Sequence, residues 1–129
     1  MRLHHVQVAI PRGGEDVARR FYIDGLGMVE VEKPADLQAR GGLWCRSGAA
    51  EIHLGVEEPF APARKAHPAL LLDDIAALDA AARRLDRLGF EVDHRERDSF
   101  PAHVRCHVFD GHGNRVELLA RRGNEVTHW

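Results

Sequence analysis

Nine of the 129 residues are histidine, the side chain that ligates metals, moves protons near neutral pH and otherwise sits on surfaces. Placement singles out three of them together with one carboxylate: His5, His53, His67 and Glu117. An offset of 62 residues carries His5 onto His67, and an offset of 64 carries His53 onto Glu117. Each lies in a stretch whose apolar residues alternate, so each faces away from them: His5 from Val6, Val8 and Ile10; His53 from Ile52, Leu54 and Val56; His67 from Pro68, Leu70 and Leu72; Glu117 from Val116 and Leu118. Singly, a strand histidine or glutamate is a solvated residue. Four at equivalent positions on one polar face make a ligand set for one divalent metal ion, Zn, Ni, Fe, Mn or Co. With a single formal negative charge beside it, such an ion would be a strong Lewis acid toward a substrate oxygen.

The elements that must position these residues follow from periodicity. Leu3 to Ile10 alternates as a half-buried strand and Pro11-Arg12-Gly13-Gly14 closes it. From Glu15 to Leu26 the period becomes helical, with Ala18, Phe21, Tyr22 and Gly25 on one face and Gly27 as terminator. Strands are expected at Val29 to Glu32, Leu43 to Arg46 and Glu51 to Val56, with a loop from Pro34 to Arg40. After a linker the order returns: an apolar strand ending at Leu72, a helix capped by Asp74 with Ile75, Leu78, Ala82, Leu85 and Leu88 on one face, a terminating Gly89, and strands at Phe90 to His94, Val104 to Phe109 and Arg115 to Ala120. The 62-residue offset also carries Val8 onto Leu70, Leu26 onto Leu88, Gly27 onto Gly89 and Met28 onto Phe90. An ordered set of matches in the same element order marks an internal repeat. The expected architecture is α+β, one domain of two βαβββ modules: module one 1–58, linker 59–66, module two 67–120, and a loose tail 121–129.

If Asp110 to Asn114 is a hairpin turn, His107 lies opposite Glu117 and Phe109 opposite Arg115. His107 then faces the polar side as a general base or hydrogen-bond donor, or as a rim residue. Across Ser47 to Ala50, Trp44 lies opposite His53 as an apolar wall and Arg46 opposite Glu51 as an anion contact or solvated strand end. Gln7 and Arg105 are further pocket candidates. Arg64 and Lys65 would favour an anionic substrate, or are solvated linker charges. Cys45 and Cys106 point to the helix side and read as buried, inert thiols. His4, His94, His112 and His128 read as surface residues, and His103 is unassigned.

The segments His5-Val-Gln-Val-Ala-Ile-Pro, Phe21-Tyr22 with Leu26-Gly27-Met28, His67 before an apolar strand, and Asp110-Gly-His-Gly-Asn-Arg-Val-Glu117 resemble those of the vicinal oxygen chelate superfamily. That superfamily includes glyoxalase I, methylmalonyl-CoA epimerase, fosfomycin resistance enzymes, extradiol dioxygenases and bleomycin resistance proteins. The resemblance spans about Leu3 to Ala120. It implies a glyoxalase-like fold whose curved mixed sheets curl around one metal, with helices outside, and carries the ligand roles onto His5, His53, His67 and Glu117. It also implies a homodimer in which two chains share a cup, or a cup closed within one chain. Glyoxalase I-like sequences have glutamate where His53 stands and the epimerases glutamine; the dioxygenases and fosfomycin enzymes need only the positions of His5, His67 and Glu117.

Three functions follow. The first is a metal-dependent lyase or isomerase, with Glu117 and His107 as catalytic residues, acting on a small molecule that chelates the ion through adjacent oxygens. The second is an Fe(II) extradiol-type dioxygenase. The third is a metal-free drug-binding resistance protein. A formal net charge of −2 with no basic stripe argues against nucleic acid. No apolar run reaches the roughly 20 residues of a membrane helix, and the N-terminus has no signal pattern, so a cytoplasmic protein that binds no membrane is expected.

Overall fold

The computed structural model describes residues 1–123. The tail beyond them, with His128, lies outside the described residues. Two four-stranded sheets are each built from one half of the chain. In the first, β1 (Val6–Ile10), β2 (Val29–Val31), β3 (Leu43–Ser47) and β4 (Ala50–Val56) are ordered β1-β4-β3-β2. In the second, β5 (Ala69–Leu71), β6 (Val92–Asp93), β7 (His103–Phe109) and β8 (Arg115–Arg121) are ordered β5-β8-β7-β6. Each first strand runs parallel to its last, and the others are antiparallel. The repeat is therefore a repeat of topology. The sheets remain separate, with β1 and β5 each at a sheet edge.

Helices cover the apolar faces. α1 (Glu15–Arg19) runs straight into a π-helical segment, Arg20 to Gly25. This segment buries the adjacent Phe21 and Tyr22 completely, two consecutive bulky side chains that a regular helix would turn some 100° apart. A short α2 (Ala35–Gln38) occupies the expected loop; Pro34 precedes it, a residue suited to a helix start. α3 (Ile75–Arg87) begins where Asp74 accepts a hydrogen bond from Ala77 N at 2.7 Å. Its Leu78, Ala82 and Leu85 are buried as the pattern requires. No helix among the described residues is long and apolar enough to cross a membrane.

The modules meet through their helices. Phe21 packs edge-on against Phe90 at 5.2 Å, Leu85 lies against Gly25, and Arg84 Nε donates to Gly25 O at 3.1 Å. Asn114 adds a polar tie: Nδ2 donates to Ala9 O in β1, and Oδ1 accepts from Ala63 N in the linker, each at 2.8 Å.

Gly42 leads into β3 with φ of +80°, and a Cβ there would collide with Leu54 O on the neighbouring strand. Neither obstacle is a flexible side-chain tip. Gly42→Ala is expected to destabilise the chain by about 2 kcal/mol or more, read as a lower urea midpoint with unchanged slope.

Candidate functional site

Strand register places side chains on the face opposite the helices. In β7 and β8 the pairs are Phe109 with Arg115, His107 with Glu117, and Arg105 with Leu119. In β3 and β4 they are Trp44 with His53 and Arg46 with Glu51, and β1 adds Gln7 beside His53. The pairs Phe109 with Arg115, His107 with Glu117, Trp44 with His53 and Arg46 with Glu51 agree with the sequence reading.

The second module gathers one cluster. His67, His107 and Glu117 each offer a ligand atom, all within 4.8 Å of one another. Glu117 is buried, and its Oε1 lies 3.1 Å from His67 Nε2, 3.4 Å from His107 Nε2 and 3.2 Å from Arg105 Nη1. His67 is oriented from behind, because Nδ1 donates to Lys65 O at 2.9 Å. That bond fixes the proton on Nδ1, so Nε2 is the nitrogen left to offer a lone pair. Arg105 is itself held by Ser99 Oγ, 2.7 Å from Nη2, and lies over the Phe100 ring. Burial pushes the His107 imidazole below the usual histidine range, with Arg115, Arg105 and His67 pushing the same way against Glu117. Burial thus favours the neutral imidazole of His107, the form that ligates a metal or accepts a proton.

The first module forms a different group. The His53 ring is sandwiched between Trp44 and His5, each centroid 4.0 Å away and nearly parallel. His53 Nε2 donates to Glu51 Oε2 at 2.7 Å, and Arg46 holds the other oxygen of Glu51, also at 2.7 Å. The bonds from His53 and Arg46 pull the Glu51 carboxyl down to about 2. Burial lowers His53, with Glu51 opposing. His5 and His67 line one groove of about 290 Å³ between the two modules, but His5 and His53 are not part of the His67, His107 and Glu117 cluster. Gln7, Trp44 and His53 line a separate cavity of about 300 Å³ with Lys33 and Arg40.

Two imidazoles and a carboxylate, one imidazole oriented through its other nitrogen, suit a divalent transition metal. The donor set therefore fits the ion that the resemblance implies. Sequence reading gave His107 as a general base, a hydrogen-bond donor or a rim residue, and the geometry also makes it a ligand candidate. It missed Glu51, although position 51 maps onto Arg115 by the same 64-residue offset. Of the other histidines, His4 and His94 are exposed, His103 is buried, and His112 is half-buried, its Nε2 donating to Gly14 O at 3.0 Å.

The family model for the Glyoxalase/Bleomycin resistance protein/Dioxygenase superfamily matches residues 2–118, and the chain belongs to this superfamily. Among solved structures it is similar to a glyoxalase family protein from Bacillus anthracis, at 41% identity and a TM-score of 0.84, over 95% of this chain and 96% of that one. The fold is also that of the fosfomycin resistance protein FosX from Listeria monocytogenes (13% identity, TM-score 0.70, 98% and 95% covered). Lactoylglutathione lyase from Agrobacterium tumefaciens shares it too (21% identity, TM-score 0.64, 89% and 91% covered). A search of curated proteins found no match.

Cys45 and Cys106 lie in the core, where burial pushes both thiols up to about 11. Neither is expected to react with Ellman's reagent at neutral pH until guanidinium unfolds the chain, after which two thiols per chain should titrate.

Proposed function

We propose that this chain is a metal-dependent lyase or isomerase acting on a small substrate that presents adjacent oxygens. The observation that carries the reading is the buried cluster of His67, His107 and Glu117, whose donor types and spacing suit a divalent ion. Bound there, the ion would supply Lewis-acid stabilisation of negative charge on a substrate oxygen. The protein's own part is to hold the substrate against the sheet, exclude water and move a proton. Glu117 and His107 are assigned to proton transfer, a role supported by Glu117 Oε1 lying 3.1 Å from His67 Nε2 and 3.4 Å from His107 Nε2 and by the burial that lowers the His107 imidazole. Arg105, bonded to Glu117, holds that carboxylate in place.

His5 and His53 are assigned to the same ligand shell, contributed by the first module of a second copy in a homodimer. Two features support sharing. The sheets are not closed on each other, and His5 and His53 of the first module lie outside the second-module cluster. Trp44, Arg46 and Gln7 would then form the wall facing the substrate.

A second reading rests on the same cluster. Two imidazoles and one carboxylate are the donor set of non-haem Fe(II) oxygenases, and His67, His107 and Glu117 supply it within one module. Tightly bound iron with substrate-dependent oxygen uptake would select that reading.

Metal analysis and calorimetry of the purified full chain test the proposal. His67→Ala and Glu117→Gln should each weaken binding by about a hundredfold or more. Wild-type protein holding less than roughly a tenth of an equivalent of any transition metal, with no thermal shift on adding Zn or Mn, would sink it. Sharing is tested by mixing: His5→Ala and Glu117→Gln chains, each without tight metal, should regain one site per dimer when co-expressed. No recovery in a verified heterodimer would place the whole site in one chain.

A further inference from the structure

The polar face of the second module carries a charge that the fold leaves without an acceptor. Arg115 opens β8, opposite Phe109 and two residues before Glu117, so it shares a face with Glu117 and His107. Its Nε is buried, and among the described residues no hydrogen-bond partner reaches it. The module repeat supplies an internal comparison. The equivalent position in module one is Glu51, whose oxygens are both taken, by Arg46 and His53. In module two, Arg46's place opposite that position is held by Phe109, which has no acceptor to offer. Among the described residues the other buried side-chain donor left unpartnered is the Tyr22 hydroxyl; Tyr22 is wholly buried in the hydrophobic core.

Arg115 is instead at a surface that a ligand can reach. With His107, Phe109 and Arg64 it lines a cleft of about 450 Å³. Carboxylates in that cleft do not answer it: Asp93 is held by both ends of the Arg95 guanidinium, and Glu96 lies 3.6 Å from Arg105. Glu91 also lines the cleft, and among the described residues it forms no ion pair with Arg115. A buried guanidinium N–H with no acceptor is costly, and an anion repays that cost through charge-assisted, often forked hydrogen bonds.

We propose that Arg115 binds an oxyanion of the substrate, so that the substrate class is a compact molecule bearing a carboxylate or a phosphonate or phosphate group beside its chelating oxygens. This rests on the reading that the second-module face is the substrate site. Arg115 and Glu117 are two residues apart on one strand, about 7 Å between Cα atoms. The anionic group therefore lies within a few bonds of the oxygens that face Glu117.

The experiment is calorimetric titration of the purified full chain, metal-free and Zn-loaded, with acetate, methylphosphonate and inorganic phosphate. Binding of at least one is expected, and the tightest of the three distinguishes a planar from a tetrahedral anion. Arg115→Gln should weaken that binding by about tenfold or more, and Arg12→Gln, at a remote exposed ion pair with Glu58, should leave it unchanged. Circular dichroism and the Tm of the unliganded variants establish that they fold. If Arg115→Gln does not fold, Arg115→Lys serves, since it keeps the charge and loses the Nε donor; it should still weaken binding. Unchanged affinity in the folded variant, or no oxyanion bound by wild type at roughly 10 mM, overturns the proposal. Metal content of the same samples separates the two readings. Metal retained with Arg115-independent oxyanion binding defeats only this inference, and Arg115-dependent oxyanion binding without metal defeats only the metal enzyme.

Discussion

The Asp110 to Asn114 turn is the constraint on which the second module's chemistry depends. Asp110 is wholly buried and its Oδ1 accepts from His112 N and Asn114 N, while Oδ2 accepts from Asn114 Nδ2. This closes the loop in one conformation and sets Phe109 against Arg115 and His107 against Glu117. A slip of one residue in β8 would send Glu117 into the apolar core and Val116 onto the polar face. Asn114 also reaches out of the turn to Ala9 and Ala63. The bonds that fix the hairpin register therefore also anchor the hairpin to the first module and the linker.

Strand alternation lets the two modules share a topology and diverge in chemistry. The core face must stay apolar and close-packed, as Ile52 and Leu54 in one module and Val116 and Leu118 in the other show. The opposite face carries no such demand. Module one uses it for a stack of Trp44, His53 and His5 and for a satisfied ion pair between Arg46 and Glu51. Module two puts His107 where Trp44 stands, Glu117 where His53 stands and an unmatched Arg115 where Glu51 stands. The first face pairs Glu51 with Arg46 and His53, whereas the second leaves Arg115 Nε without an acceptor among the described residues.

What was legible in the sequence was what period and turn chemistry encode. The alternation of Val6, Val8 and Ile10, the Asp74 cap and the glycines after each helix yielded the element order, and the hairpin turns yielded the cross-strand pairs. The α2 turn was not legible, because Ala35 to Gln38 has too little apolar pattern to distinguish four helical residues from a loop. Nor was the π-helical segment, since adjacent Phe21 and Tyr22 fit either helix as a string of letters. For the site, period placed His53 and Glu117 opposite the apolar residues of their strands, while His5 and His67 lie just before β1 and β5, and it carried no information on distances between sheets. Those distances depend on how Phe21 meets Phe90 and how Leu85 meets Gly25, contacts between distant residues that no local pattern announces.

That same helix packing bears on where the first-module ligands go. Within one chain His5 and His53 stand outside the His67, His107 and Glu117 cluster, and closing that gap by a swing of the sheets would act on the contacts that join the modules. Such a swing would pull Arg84 from Gly25 O and Asn114 from Ala9 O, and would open the close contact of Leu85 with Gly25. Leaving buried polar groups unpaired costs about 1–3 kcal/mol each, and the separated apolar surface adds to that. In the proposed homodimer a second copy would supply the first-module residues with these contacts left intact. The contacts inside the chain thus favour the proposed sharing between two chains over closure within one.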